Sequence, residues 1–145
     1  RAQKILANSE RLGTTCLQLL VADSNKLLDM HPEWKSYFHR ILIDAPCSGL
    51  GTLARHPDAR WRMNKEKIKE LVILQSQLLK SLAPLLKSGG TLVYSTCTIH
   101  PDENFKQIKN FLKINSEFSL EYEKQIWPGE DDNGDGFYLA VLTKL

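Results

Sequence analysis

Two stretches decide the fold: Arg40-Ile41-Leu42-Ile43-Asp44-Ala45-Pro46-Cys47-Ser48-Gly49 and Thr91-Leu92-Val93-Tyr94-Ser95-Thr96-Cys97-Thr98. Each is a short, β-prone apolar run that stops at a polar turn carrying one cysteine. Between them, Asn64 can cap a long helix whose apolar positions Ile68, Leu71, Val72, Leu78, Leu79, Leu82 and Leu86 recur at helical spacing. Parallel α/β sheets gather their chemistry at the carboxyl ends of the strands, so both thiols are expected to face one site. A thiol beside a buried carboxylate suits covalent attack on an electrophilic carbon. Two such thiols suit a reaction in which one attacks and the other helps to undo the attack.

Outward from this centre the elements follow in order. Ile5, Leu6 and Leu12, with Gly13 as a stop, predict a first helix. Leu17 to Ala22 reads as a buried strand ending at Asp23-Ser24, and Asn25 to His39, interrupted by Pro32, as a short helix or turn. Pro84 is expected to kink or end the long helix, with Gly89-Gly90 closing it. Pro101 at a first helical position, with Asp102 and Glu103 in the first turn, predicts another helix through Phe105, Ile108 and Leu112. A strand near Phe118–Tyr122 and a last one over Gly136–Thr143 read as a terminal antiparallel pair. The order indicates a three-layer α/β sandwich. The chain starts at Arg1 without an initiator Met or a helix cap, and reads as cut from something longer.

With 145 residues, 42% hydrophobic and 25% charged, the chain amounts to about one globular domain. No apolar run approaches the roughly 20 residues of a membrane span, and no secretory leader is visible. Cys16, Cys47 and Cys97 are odd in number and widely spaced, with no Cys-x-x-Cys and no matching His pair. That argues against a metal site or a disulfide scaffold, and for a reducing cytoplasm. Cys16 reads as core.

The net charge of +2 conceals an asymmetry. Residues 55–69 carry six basic side chains against Asp58 and Glu66, net +4, whereas residues 117–135 carry seven acids against Lys124, net −6. The basic stretch is either a phosphate-backbone footprint or a solvated helix start. The acidic one reads as a solvated loop.

The motifs Asp44-Ala45-Pro46-Cys47-Ser48-Gly49, His56-Pro57-Asp58 with Arg60-Trp61, Gly89-Gly90-x-Leu92-Val93-Tyr94-Ser95-Thr96-Cys97-Thr98-Ile99-x-Pro101-x-Glu103-Asn104, and Asp135-Gly136-Phe137-Tyr138 resemble the RNA cytosine-C5 methyltransferases, in particular their bacterial ribosomal-RNA branch. The likeness extends over nearly the whole chain. It implies a class I methyltransferase (Rossmann-like) fold with a mostly parallel sheet, and S-adenosylmethionine as methyl donor. It also implies that Cys97 attacks C6 of a cytosine in RNA, that Cys47 assists release of the methylated base, and that Asp44 holds the ring edge at N3. Asp23, Asp44 and Pro46 would line the cofactor, with Asp23 at its adenine, and Arg55, His56 and Arg60 would touch RNA. Trp61 is read as packed. The full protein is expected to be a cytoplasmic monomer that needs no metal and no membrane.

Some residues depart from the family pattern. Phe105 stands where the family often has an acid, and Ala54 where a basic residue is usual. The glycine-rich loop and the ribose-binding acid of the cofactor site belong to strands upstream of Arg1. In the family fold those two strands lie between the Leu17–Ala22 strand and the Arg40–Asp44 strand. Residues 1–145 are therefore expected to be the carboxyl-terminal portion of one catalytic domain, binding S-adenosylmethionine weakly or not at all alone.

Three rival readings stand beside this one. Gly49-Leu50-Gly51-Thr52-Leu53-Ala54 formally fits a dinucleotide fingerprint, but Pro46 intervenes after the strand, Pro57 blocks a helix start, and no strand-end acid follows ~20 residues on. DNA cytosine methylation would use the Pro46-Cys47 thiol as nucleophile; the second thiol and the His56-Pro57-Asp58 segment favour RNA. A non-catalytic RNA-binding fragment is the third.

Overall fold

The computed structural model of the chain describes residues 2–130 and 134–145; Asp131 and Asp132 of the acidic stretch lie outside the described residues. Four strands form one sheet: β1 (Phe38–Asp44), β2 (Leu86–Thr96), β3 (Phe118–Ile126) and β4 (Phe137–Lys144), in the order β1-β2-β4-β3. β1 runs parallel to β2 and ends in register with it, Asp44 opposite Ser95. β4 is inserted antiparallel between β2 and β3, which produces the terminal antiparallel pair.

Alternation along the strands sets the core, because successive side chains point to opposite faces. Ile43 and Ala45, Leu92 and Tyr94, and Tyr138, Ala140 and Leu142 point to one face and are all buried. There they meet Leu79 of α4 (Lys65–Leu82) and Ile108 and Phe111 of α5 (Phe105–Ile114). Each such aliphatic or aromatic burial contributes about 1.5–3 kcal/mol, so this helix-covered face holds the fold. The opposite face is thinly covered: Leu42, in the middle of β1, is 68% exposed. Among the described residues, then, two layers of the three-layer sandwich are built.

The helix signals hold at the start of α4, where the Asn64 side chain accepts the Lys67 N–H at 2.9 Å. At its end the proline signal holds as well, but the readings of Leu86 and Gly89-Gly90 do not. Pro84 stops the helix at Leu82, and Ala83–Leu85 tighten into a 3-10 turn. Leu86 is the first residue of β2 rather than the last apolar position of the helix, and Gly89-Gly90 lie inside that strand. The β1–β2 register jumps from Phe38 opposite Leu86 to Arg40 opposite Thr91, and Gly89, at φ +74°, lets the strand make that excursion.

Three further expectations are corrected. Pro101 does not open the last helix; α5 begins at Phe105, because Pro101–Asn104 form a turn in which Glu103 and Asn104 point inward. Leu17–Ala22 forms no strand. It has no hydrogen-bonding neighbour strand among the described residues, and Leu17, Leu20 and Val21 are 45%, 48% and 79% exposed. An extended apolar run becomes a strand only when a partner satisfies its backbone. Cys16, just before it, is exposed rather than core. The first helix does form, as α1 (Ala2–Arg11), though none of its residues is buried. The 25–39 segment folds into the single-turn α2 (Leu27–Met30) flanked by 3-10 turns.

Candidate functional site

β1 and β2 end side by side, and the turns that follow bring the two thiols together: Cys47 Sγ and Cys97 Sγ are 3.4 Å apart, both half-buried and unbonded. Burial pushes the Cys47 thiol up to about 12, and the hydrogen bond to Cys97 adds to the shift. Cys47 is therefore a protonated S–H at neutral pH, poised as a donor to its neighbour.

The two cysteine turns are also tied by backbone. Gly51 N–H donates to Cys97 O at 3.0 Å, and Gly51 O accepts Gly136 N–H at 2.7 Å. A Cβ at Gly51 would fall 2.1 Å from Gly136 O and 2.8 Å from Cys97 O, so no larger residue fits there. This close approach, rather than phosphate binding, accounts for that glycine of the apparent dinucleotide fingerprint. Gly49 serves the turn itself, at φ +70° in the left-handed region.

The carboxylate buried behind the thiols is Glu103, not Asp44. Glu103 has no exposed surface. Its Oε1 accepts from Ser48 N–H at 2.9 Å and from Gln75 Nε2 at 3.0 Å, while its Oε2 accepts from Ser48 Oγ. Ser48 Oγ lies 2.7 Å from Thr98 Oγ1. The residues that follow each cysteine, Ser48 and Thr98, thus hang on one carboxylate. Among the described residues no lysine or arginine pairs with it. Charge-assisted hydrogen bonds of this kind contribute about 1.5–3 kcal/mol each and offset the cost of burying the charge.

Around this hub every inward polar group has a partner. Gln75 also donates to Pro46 O at 2.9 Å. Asn104 accepts from Thr96 Oγ1 at 2.7 Å and donates to Thr98 O at 2.9 Å, so its side chain is unavailable to cap α5. The Tyr94 hydroxyl, whose ionisation burial pushes far up, donates to Glu103 O at 2.8 Å. Gln75 carried a sequence signal: it is a polar residue at helical spacing inside the apolar stripe of α4, between Leu71 and Leu78. Glu103 was visible only as a first-turn acid.

The remaining candidates sit as follows. Asp44 is exposed at the end of β1, with Ser95 Oγ 3.4 Å from its Oδ1. Pro46 is exposed beside it. Asp23 is exposed on the segment that stays outside the sheet, where its carboxylate caps the Asn25 N–H at 3.0 Å. Arg55, His56 and Arg60 are all exposed on the segment leaving the Cys47 turn, and Arg55 is ion-paired to Asp135. Trp61, expected to be packed, is 86% exposed on the one-turn helix α3 (Ala59–Arg62).

Residues 1–143 match the family model described as 16S rRNA methyltransferase RsmB/F. The chain belongs to the RsmB/F family. Its relatives include the ribosomal RNA small subunit methyltransferase B of Photorhabdus laumondii, 50% identical over 79% of this chain and 29% of that protein. The same-named protein of Escherichia coli is 47% identical over 99% of this chain and 34% of its own length. The chain thus spans about a third of the curated relatives it matches. Among solved structures, PH0851 superposes with TM-score 0.92 at 34% identity, covering 99% of this chain and 34% of that one. NSun6 from Pyrococcus horikoshii with SFG gives 0.81 at 26% identity, covering 99% and 38%. Both likenesses agree with a class I methyltransferase fold for this RsmB/F chain.

Proposed function

We propose that this chain is the carboxyl-terminal part of the catalytic domain of an RNA cytosine-C5 methyltransferase, with S-adenosylmethionine as methyl donor and small-subunit ribosomal RNA as substrate. The observation that carries the reading is the pair of unbonded thiols 3.4 Å apart at two adjacent strand ends. C5 of cytosine is too weak a nucleophile to take a methyl group unaided. Addition of the Cys97 thiolate to C6 makes C5 enamine-like.

S-adenosylmethionine, when bound, supplies the electrophilic methyl group that C5 takes. Asp44 and Pro46, exposed at the end of β1, fit one wall of that cofactor's site, and Asp23 fits it once its segment is held in place. Loss of the C5 proton to a base re-forms the C5–C6 double bond and expels the Cys97 thiolate. The Cys47 S–H, kept protonated by burial, stabilises the departing sulfur as a hydrogen-bond donor. Asp44, in its protonated form, donates a hydrogen bond or its proton to N3, where negative charge builds as the thiolate adds to C6. Arg55, His56 and Arg60 hold the RNA, and Glu103 keeps both cysteine turns in register.

Incubating the full-length protein with methyl-labelled S-adenosylmethionine and a small-subunit ribosomal RNA transcript, then digesting the RNA to nucleosides for mass spectrometry, tests this. The label is expected in 5-methylcytidine. Label in any other nucleoside, or none in RNA, overturns the reading.

A further inference from the structure

Behind the Cys97 turn, towards β3, lies a cavity of about 380 Å3 that the chemistry above does not use. Two of its walls, Ile99 and Pro101, come from the segment that carries Cys97. Two more are aromatic: Phe105 at the start of α5 and Trp127 just after β3. Phe105 is 46% and Trp127 52% exposed, so both rings keep a free face.

The floor of the cavity is polar. Glu123 lines it together with Tyr138, whose hydroxyl donates to Glu123 Oε1. Burial, then the Glu123 carboxylate itself, push the ionisation of that hydroxyl far up, so it remains a donor and orients the carboxylate. Among the described residues no lysine or arginine pairs with Glu123. A carboxylate has about four acceptor sites, and one hydroxyl does not fill them.

Gln125 lines the cavity too, but its amide hydrogens are committed to Ile126 O and Phe137 O, so apolar and aromatic walls beside the Glu123 carboxylate suit a flat heterocycle with N–H groups on its edge. A phosphate would be repelled by Glu123, whereas a base edge would not. Unstacked RNA bases are held by this combination of aromatic stacking and edge hydrogen bonds. Only guanine presents two adjacent donors, N1–H and N2–H, to one carboxylate; uracil has no amino group. Ile99 is two residues from Cys97, so the cavity adjoins the turn that would receive the target cytosine.

We propose that this cavity takes an unstacked base of the substrate RNA, guanine in preference to others, stacked on Trp127 or Phe105 with its donor edge on Glu123. The proposal rests on the RNA reading above and adds to it a source of sequence context beside the target cytosine.

The full-length protein labelled with 5-fluorotryptophan provides the test, its Trp127 fluorine resonance being the one lost in Trp127→Phe. Guanosine monophosphate is expected to move that resonance and uridine monophosphate to leave it in place, with the preference lost in Glu123→Gln. No movement with either nucleotide, as when another segment of the longer protein fills the cavity, overturns the proposal, and so does equal movement with both. With ribosomal RNA as substrate, Trp127→Ala and Glu123→Gln are expected to raise KM for RNA about fivefold or more, the weight of one stacked base, with KM for S-adenosylmethionine unchanged. An unchanged RNA KM contradicts the proposal while leaving RNA methylation standing. A guanosine response in a protein that transfers no methyl to RNA supports the base site and sinks the methylation reading instead.

Discussion

The Glu103 carboxylate receives the backbone N–H of Ser48 at 2.9 Å across 55 positions of the chain, and through Ser48 Oγ it reaches Thr98 Oγ1. Ser48 follows Cys47 and Thr98 follows Cys97, so one buried side chain holds both cysteine turns. The separation of the two sulfurs is thereby set from behind, by groups that never meet a substrate. A loop would not hold two sulfurs 3.4 Å apart by itself; the anchoring of both turns to one acid does.

Glu103→Ala removes the acceptor of three donors and leaves them buried. At about 1 kcal/mol or more for each donor left unpaired, it is expected to lower the unfolding free energy by about 3 kcal/mol or more, measured by chemical denaturation of the full-length protein. Glu103→Gln keeps the shape and two of the acceptances, so its loss of stability is expected to be smaller, yet methylation should slow in both. A Glu103→Ala protein as stable and as active as the parent contradicts the anchoring role.

The Cys47 thiol, pushed up to about 12 by burial, has a distinctive pH signature. Alkylation by iodoacetamide follows the thiolate, so its rate at Cys47 is expected to climb about tenfold per pH unit from neutrality to about pH 10. A plateau near the ordinary thiol value of about 8.5 contradicts the shift. Because the folded value lies above the unfolded one, the stabilisation is complete below about pH 8.5 and is lost as pH rises from there to about 12. Cys47→Ala should flatten that decline.

Arg55 and Arg60 sit on the same segment, but Arg55 is already neutralised by Asp135 whereas Arg60 is exposed without a carboxylate partner among the described residues. Arg60→Gln is expected to weaken binding of a ribosomal RNA fragment and to reduce the slope of log K against log salt by about 0.7. Arg55→Gln should reduce it by less. Fluorescence anisotropy across a salt series measures both, and equal slopes for the two variants contradict the assignment.

Much of this architecture was legible in the chain. The apolar runs before Cys47 and Cys97, the Asn64 cap and the last strand rest on local signals, which survive folding, although in that strand Tyr138, Ala140 and Leu142 form the buried face and Phe137, Leu139 and Val141 are only half-buried. What failed depended on distant partners. Leu17–Ala22 has strand composition but no neighbour strand among the described residues, and composition alone cannot supply one. Gly89-Gly90 reads as a helix stop unless one knows that Pro84 has already ended the helix and that β2 must shift its register there. Glu103 looks like a dipole-favoured acid in a first turn because spacing does not reveal that the turn is rotated inward. Trp61 reads as packed, yet it is 86% exposed on a four-residue helix whose buried residue is Ala59.

The account turns on which sulfur attacks and which assists, and a covalent trap separates them. RNA carrying 5-fluorocytosine holds the adduct because the C5 proton needed for release is replaced by fluorine. Full-length parent protein and Cys47→Ala are expected to form a denaturation-resistant protein–RNA complex, with Cys47→Ala also accumulating one on ordinary RNA, and Cys97→Ala is expected to form none. A complex that survives loss of Cys97 and disappears with Cys47 would contradict the assignment.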